Sequence, residues 1–254
     1  NVSNIPRVVG ALHKEGLEMA KTFYESIISS EVLALSSIEA AEMTKIYENS
    51  LRAVNIAFAN EMAIIMQNMR LDSKEVISGV KTKPFGLDMC TPSCGVGGHC
   101  IPVDPFYLID ESLKRGFDPS FLRTAMKVNG YMPSYTVSLL TSALNEVGKS
   151  VKGTKIGVLG VAYKKNVDDV RESPALDILK RVKSLGADVK IYDPFLPDYS
   201  NATKEDVLSC DAILLLTDHS EFLTYDFSRV PVLIDGKNVL DKSKFGGVYK
   251  GIGR

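Results

Sequence analysis

The first half of the chain places apolar residues at helical spacing. Residues 12–28 alternate apolar and charged positions like an amphipathic helix, and the apolar run 31–35 predicts a short strand. From Ser37 a helical pattern continues for about thirty residues, with Ser37 or Ser36 as the suitable N-cap residue. Its apolar stripe consists of Met43, Ile46, Tyr47, Ser50, Val54, Ala57, Phe58 and Ile65. Further helices are predicted at 73–80, 107–115, 119–129 and 133–147.

The second half of the chain has a different period. Buried-strand patterns occupy residues 155–160, 188–193, 211–217 and 231–235. A helix that begins at Pro174 lies between the first two of them. Strands that alternate with helices predict parallel βαβ units. The expected fold class is therefore α/β, a helical central domain followed by a Rossmann-like, doubly wound parallel-sheet domain.

Charge and composition exclude several classes of protein. Lys and Arg number 30 against 31 Asp and Glu, a net charge of −1 that gives no reason to expect nucleic acid or an anionic membrane as a partner. No apolar run approaches the roughly 20 residues of a membrane span. Four cysteines are too few for a disulfide scaffold, so a reducing cytoplasm is the expected location.

The densest chemical signal lies in residues 95–105, where three glycines precede Cys100. Glycines let backbone amides approach a ligand, and amide donors around a cysteine favour its thiolate. Asp104 follows at a distance suited to proton transfer or to orienting water. The same segment could also be a buried turn with an inert cysteine. A zinc site would use Cys90, Cys94, His99 and Cys100, although adjacent His and Cys suit one tetrahedral centre poorly.

Two further polar patterns are candidates for a site. One face of the long predicted helix carries Glu42, Lys45, Asn49 and Arg52, where a lysine one turn before an asparagine could hold an oxyanion or simply face solvent. The glycine turn 157–160 follows the first strand of the sheet, a phosphate-binding position, and Lys164 and Arg171 supply positive charge. The turn lacks the dinucleotide fingerprint, which favours a nucleotide phosphate other than that of NAD.

Together these segments resemble the UDP-glucose/GDP-mannose dehydrogenase family over nearly the whole chain. Residues 97–105 are similar to the family's nucleophile motif, in the form typical of the branch that acts on UDP-N-acetylhexosamines. Residues 41–49 with 60–61 resemble its central-helix motif, and residues 82–86 again resemble that branch. Residues 157–174 resemble the start of the family's UDP-binding domain.

The resemblance implies three parts. Residues 1–37 would be the end of an N-terminal NAD-binding domain, 38–150 a helical dimerisation domain with the catalytic loop, and 151–254 the UDP-binding domain. The family's glycine fingerprint does not occur in the sequence, and the first residue is Asn1 rather than Met. We therefore expect a fragment that has no activity by itself.

The resemblance also implies a mechanism, the oxidation by two NAD of the C6 hydroxyl of a UDP-N-acetylhexosamine to a carboxylate. Cys100 would form a thiohemiacetal and then a thioester. Lys45 and Asn49 would stabilise the oxyanion, and Asp104 would position water. The implied substrate-binding residues are Gly95, Gly97, Gly98, His99, Lys164 and Lys237, the last of which stands where the family commonly has Arg. Arg171 is the implied NAD contact, and no metal site is expected.

Three alternatives stay open. UDP-N-acetyl-D-mannosamine is favoured as the substrate, but UDP-N-acetylglucosamine or UDP-glucose would fit the same chemistry. The chain could instead be an inactive, dimeric UDP-sugar-binding fragment, or a zinc-bound structural protein. A homodimer through the long central helix is expected, because the apolar stripe of that helix needs a partner.

Overall fold

The computed structural model describes residues 3–85 and 89–254, which form two compact units that meet in sequence between Arg52 and Ala53. Two residues cited above, Asn1 and Gly86, lie outside the described residues. In the first unit β1 (Arg7–Val9) and β2 (Val32–Ala34) pair in parallel, and α1 (Lys14–Ile27) connects them. The predicted helix and strand are confirmed. The partner strand β1 was not predicted, because three residues give too short a pattern.

The long helix α2 spans Ile38–Asn68, as predicted. Ser37 caps it by accepting a hydrogen bond from the backbone N–H of Ala40 (3.1 Å). The large members of the predicted apolar stripe, Met43, Tyr47, Phe58 and Ile65, are 48%, 65%, 57% and 43% exposed. The buried apolar positions of the helix are small or flexible, and they are Ala53, Ala59, Ala63 and Met66 together with Ala57 of the stripe.

Three more helices precede the sheet: α3 (Ser73–Val80), α4 (Asp104–Lys114) and α5 (Ser120–Glu146). The predicted break before Pro133 is wrong, because α5 runs through it. Proline removes one helical hydrogen bond, but the flanking turns are held by fully buried side chains such as Met132 and Leu140. Helix α4 begins at Asp104 rather than at residue 107, because Pro105 is favoured in a first turn.

The second unit contains a five-stranded parallel sheet in the order β4-β3-β5-β6-β7. Its elements in chain order are β3 (Lys155–Leu159), α6 (Pro174–Ser184), β4 (Asp188–Tyr192), α7 (Lys204–Leu208), β5 (Ala212–Leu215), β6 (Val232–Asp235) and β7 (Val248–Gly251). The expected helical region followed by a parallel α/β sheet is confirmed. Strand β7 was missed, because glycines flank it and hide its period.

Side chains of both sheet faces are buried, as a parallel sheet requires. Ala212 and Leu214 of β5 contribute to one apolar cluster, and Ile213 and Leu215 to another, since neighbouring residues of a strand point to opposite faces. Helices α5 and α6 pack in the first cluster. Within the described ranges, no helix is long and apolar enough to cross a membrane.

Candidate active site

The glycine loop, residues 95–100, needs its glycines for close packing. Gly95 and Gly98 have φ of 140° and 92°, which side chains disfavour. A Cβ on Gly97 would lie 2.7 Å from the Tyr163 Cβ and 2.8 Å from the Glu172 carbonyl oxygen. A Cβ on Gly98 would lie 2.8 Å from the Tyr163 ring. The loop therefore packs directly against Tyr163, and a larger residue would displace it.

The loop delivers Cys100 to the surface at the start of a helix. The Gly98 N–H donates to the carbonyl oxygen of Arg171 (2.9 Å), which ties the loop to residues 163–171. His99 and Cys100 are exposed. The Cys100 carbonyl accepts from the Asp104 N–H (2.8 Å), so Cys100 leads directly into α4. The half-buried Asp104 thus lies one helical turn from Cys100.

The segment that binds the glycine loop carries the charged side chains of Arg171 and Asp169. The Arg171 guanidinium donates to Asp169, with Nη2 2.6 Å from Oδ2. This hydrogen bond and the Asp169 charge raise the pKa of Arg171, and Tyr163 and Cys100 add smaller contributions. The pKa of Asp169 is lowered, chiefly by Arg171 and in small part by His99. Cys100 and Arg171 therefore belong to one electrostatic neighbourhood, in which an exposed guanidinium can attract an anion.

Cys94, unlike the exposed Cys100, lies in the interior of the protein. It is fully buried, its N–H donates to the Gly236 carbonyl (2.7 Å), and its Sγ lies 3.8 Å from the Leu216 carbonyl. Burial raises the pKa of its thiol. Cys94 is therefore a structural anchor of the loop. Among the residues that the structure describes, no group of three or more His, Cys, Asp or Glu side chains is placed to hold a metal ion.

The glycine turn after β3 is closed by a carboxylate. The fully buried Asp193 accepts with Oδ2 from the amides of Val161 (2.7 Å) and Ala162 (3.0 Å). A Cβ on Gly160 would lie 2.4 Å from Thr217 Cβ, so this glycine serves packing. The prediction that this turn binds a phosphate is wrong for these amides, because a protein carboxylate already occupies them.

The basic residues predicted to bind substrate lie on two loops of the second unit. Lys164 is exposed and follows Tyr163 directly. Lys237 is half-buried, and its N–H donates to Asp235 (3.0 Å) in a turn whose next residue, Asn238, has φ of 56°. The structure thus brings the glycine loop, Asp104 and Arg171 together, whereas the parts of Lys164 and Lys237 in substrate binding stay predictions.

Lys45 and Asn49 lie on the part of α2 that belongs to the first unit. Glu48 pairs with both Lys45 (3.2 Å) and Arg52 (2.6 Å), which explains the polar stripe as ion pairs at helical spacing. Asn49 is 3% exposed. Their roles toward Cys100 stay predictions.

Sequence reasoning missed the residues that support the loops. Tyr163 packs on the glycine loop, and Glu172, with φ of 50°, turns its carbonyl oxygen toward Gly97. Asp193 and His219 are both buried and lie 3.2 Å apart between Oδ2 and Nε2. The position of Asp193 at the end of a predicted strand was the only signal available, because the other contacts join segments that are distant in sequence.

Comparison with known proteins gives the class and then the family. The fold, a helical region followed by a parallel sheet, is that of the nucleotide-sugar dehydrogenases. The chain belongs to the UDP-glucose/GDP-mannose dehydrogenase family, whose central-domain model matches residues 39–131 and whose UDP-binding-domain model matches residues 157–242. Together the two matches cover more than two thirds of the chain.

Individual relatives agree with this assignment. A UDP-N-acetyl-D-mannosamine dehydrogenase of Pyrococcus horikoshii is 33% identical, over 98% of this chain and 60% of the relative. Its solved structure superimposes with a TM-score of 0.92 over 100% of this chain and 61% of that chain, at 32% identity. A UDP-N-acetyl-D-glucosamine 6-dehydrogenase of Pseudomonas aeruginosa is 30% identical, over 96% of this chain and 61% of the relative. The chain thus spans about three fifths of these relatives.

Proposed function

We propose that this chain carries the catalytic cysteine and the nucleotide-sugar site of an NAD-dependent UDP-N-acetylhexosamine 6-dehydrogenase. The observation that carries the proposal is Cys100, which is exposed at the end of a close-packed glycine loop and near the Arg171 charge. An exposed cysteine can reach a substrate, whereas the buried Cys94 cannot. In this proposal residues 38–150 and 151–254 are the central and UDP-binding domains.

The chemistry proceeds in two oxidations. The C6 alcohol first loses a hydride and a proton to become an aldehyde. The Cys100 thiolate adds to the aldehyde carbon and, with a proton taken up on the oxygen, forms a thiohemiacetal, which loses a second hydride and its hydroxyl proton and becomes a thioester. Water then cleaves the thioester, releasing the carboxylate and regenerating the thiol. The covalent link keeps the aldehyde in the site between the two oxidations.

Other side chains of the chain assist these steps. Asp104, one turn from Cys100, orients the water and takes its proton. Lys45 and Asn49 stabilise the oxyanion, and Lys45 must then exchange its ion pair with Glu48 for the substrate oxygen. Gly95, Gly97, Gly98 and His99 wrap the sugar, and Lys164 and Lys237 hold the UDP moiety.

The described residues fit NAD only in part. NAD, when bound, accepts the hydride in each oxidation. The exposed guanidinium of Arg171 suits a pyrophosphate, and we assign it this role. The glycine turn at Gly160 does not fit, because Asp193 takes its amides. No other part of a dinucleotide site is assigned to this chain.

We further propose a homodimer through α2. Its large exposed apolar residues would be covered by the same helix of a second copy. Sedimentation at several concentrations tests this. A monomer at all concentrations would contradict it.

The identity of the substrate sugar is tested by comparing the turnover of three UDP sugars. We favour UDP-N-acetyl-D-mannosamine, because the motif of residues 97–105 and several relatives point to it. Formation of NADH and uronate is measured with this sugar, UDP-N-acetylglucosamine and UDP-glucose. A higher kcat/KM for either of the other two sugars would reject the preference.

A second candidate function is binding of a UDP sugar without oxidation. It is favoured by the closed turn at Gly160, where Asp193 takes the amides that a dinucleotide phosphate would use. Calorimetric titration of the chain with UDP-N-acetylmannosamine and, separately, with NAD distinguishes the two functions. Binding of the sugar nucleotide without binding or reduction of NAD would assign this chain the binding role alone.

A further inference from the structure

A series of hydrogen bonds through the buried His219 joins the glycine turn at Gly160 to the loop that carries Lys164. His219 is fully buried, and its Nε2 lies 3.2 Å from Asp193 Oδ2. The backbone N–H of Asn166 donates to the other ring nitrogen, Nδ1, at 2.8 Å. An amide N–H can only donate, so Nδ1 carries no proton, and Nε2 carries the proton donated to Asp193. The two contacts fix the tautomer of His219.

Two aromatic rings pack against the ring of His219. Phe195 stacks on it with a centroid distance of 4.8 Å and an interplanar angle of 25°. Phe222 meets it edge-on at 5.2 Å. Asp193 is held in turn by amides of three residues, Val161, Ala162 and Phe195. The Nδ1 acceptor therefore has a fixed position relative to the sheet.

Asn166 is the point where this rigid group meets the loop of residues 163–171. It has φ of 58°, a conformation that asparagine tolerates better than most residues. Its side chain exchanges two hydrogen bonds with Ser220, from Nδ2 to Oγ (2.8 Å) and from the Ser220 N–H to Oδ1 (3.1 Å). Tyr163 closes the loop by donating its N–H to the Asp169 carbonyl (2.9 Å).

The loop carries groups that the proposed function uses. Lys164 lies between the closure at Tyr163 and the anchor at Asn166, and Arg171 at its far end accepts the N–H of Gly98. A shift of Asn166 would therefore move Lys164 directly and would loosen the support of the glycine loop. The Asp193 carboxylate also accepts the hydrogen bonds of the turn amides, so these amides are not available to a ligand phosphate.

We propose that His219 is a positioning residue of the nucleotide-sugar site, which acts through the Asn166 amide to fix the loop that presents Lys164. The proposal rests on the proposed role of Lys164 in holding UDP. His219 touches neither substrate nor cofactor in this account. Its essential group is the Nδ1 acceptor, and the Nε2 bond to Asp193 serves to orient that acceptor.

The test uses this chain with UDP as the probe and three replacements of His219. His219→Phe keeps a ring between Phe195 and Phe222 but removes both hydrogen bonds, and should weaken UDP binding about tenfold. His219→Asn places an oxygen near the former Nδ1 and should recover most of the affinity. His219→Gln reaches toward Asp193 instead and should recover little. Equal recovery by Asn and Gln, or better recovery by Gln, would overturn the proposal.

A matched control separates positioning from general stability. Tyr225→Phe removes the hydrogen bond from Tyr225 to Glu221 in the same aromatic cluster, where the Tyr225 ring lies 5.6 Å from Phe222. It should lower the melting temperature and leave UDP affinity unchanged. If Tyr225→Phe weakens UDP binding as much as His219→Phe does, the effect is only loss of stability and the proposal fails.

Amide hydrogen exchange makes the result independent of the proposed function. His219→Phe should accelerate exchange across residues 163–171, whereas Tyr225→Phe should not. If the unaltered chain does not bind UDP, the proposed function fails, and the exchange result alone decides whether His219 fixes the loop. Unchanged exchange in His219→Phe would overturn that claim.

A second variant covers the case in which His219→Phe does not fold. Asn166→Gly accepts the positive φ and keeps the N–H to His219 but loses both bonds to Ser220. It should accelerate exchange in the same loop to a smaller degree. Unchanged exchange would contradict the assignment of Asn166 as the anchor.

Discussion

The two glycine-containing turns of the second unit use glycine for different ends. In the glycine loop, Gly97 and Gly98 let the Tyr163 ring approach, and the loop ends in an exposed cysteine. In the turn at Gly160, the glycine makes room for Thr217, and the following amides are occupied by Asp193. The glycine loop exposes a reactive thiol, whereas the amides of the turn at Gly160 are bound by a protein carboxylate.

The difference shows that a glycine turn after a strand does not by itself make an anion site. What decides is whether the amide donors already have a partner. At Gly160 a buried carboxylate from the next strand supplies that partner. We expect substitutions in the glycine loop to change turnover, and substitution of Asp193 itself to lower stability.

Among substitutions that compare the two turns, the largest effect on turnover is expected for Gly98→Ala. The new Cβ would meet the Tyr163 ring at 2.8 Å in a backbone with φ of 92°, so the loop must move. Displacement of a nucleophile by about 1 Å lowers turnover about a hundredfold. The measurement is kcat in an enzyme preparation that contains this chain and forms the uronate.

Gly79→Ala is the matched control, because nothing lies within 4 Å of the added Cβ and the residue is helical. It should leave kcat unchanged. A Gly98→Ala enzyme with normal kcat would show that the loop does not position Cys100.

The next effect is a loss of stability in Asp193→Asn. Burial raises the pKa of Asp193, but hydrogen bonds from His219 and three amides more than offset it, so the pKa lies below its ordinary value. The carboxylate therefore contributes stability above about pH 4, and this contribution is lost as the pH falls through the lower folded pKa. Replacement should lower the free energy of unfolding at pH 7 by about 3 kcal/mol.

Urea unfolding at pH 7 and below pH 4 measures this difference. The gap between the original chain and Asp193→Asn should narrow in acid. Asp206→Asn serves for comparison, since Asp206 belongs to the capping box of α7 and its pKa is lowered to about 2 by hydrogen bonds from Thr203 and Lys190. It should destabilise less. A gap for Asp193 that does not depend on pH would refute the carboxylate's role.

The smallest effect is expected for Arg171→Ala. The Arg171 guanidinium donates to Asp169, and the Arg171 carbonyl accepts the hydrogen bond of the Gly98 N–H, so its truncation should loosen the support of Cys100 and change the rate of Cys100 alkylation by iodoacetamide about threefold. Peptide mapping separates Cys100 from the other cysteines. Arg181→Ala, which removes a comparable exposed ion pair with Asp177, should leave the rate unchanged. Equal alkylation rates in Arg171→Ala and Arg181→Ala would show that Arg171 has no influence on Cys100.

The parts that sequence predicted well are those with local periodic patterns. The bounds of α3, four strands of the sheet and Ser37 as a cap follow from spacing alone. The continuous α5 did not follow, because buried tertiary contacts outweigh the local effect of Pro133. Cys100 was singled out as a candidate through its glycines, and its catalytic role stays a prediction.

The contacts that close the turn at Gly160 could not be predicted in the same way. Asp193 reaches amides 31 and 32 positions away, and His219 receives its bond from Asn166 at a separation of 53. No periodic pattern encodes such pairs. The roles of Lys45, Asn49 and Lys164 stay predictions for the related reason that they concern a ligand.

The central claim, that Cys100 is the nucleophile, is tested most directly by trapping its thioester. An enzyme preparation containing this chain is mixed with UDP-N-acetylmannosamine and NAD, quenched in acid and mapped by mass spectrometry. The account predicts the mass of the uronyl adduct on the peptide that contains Cys100, and neither adduct nor uronate in Cys100→Ser. Uronate formation at the normal rate in Cys100→Ser would contradict the account.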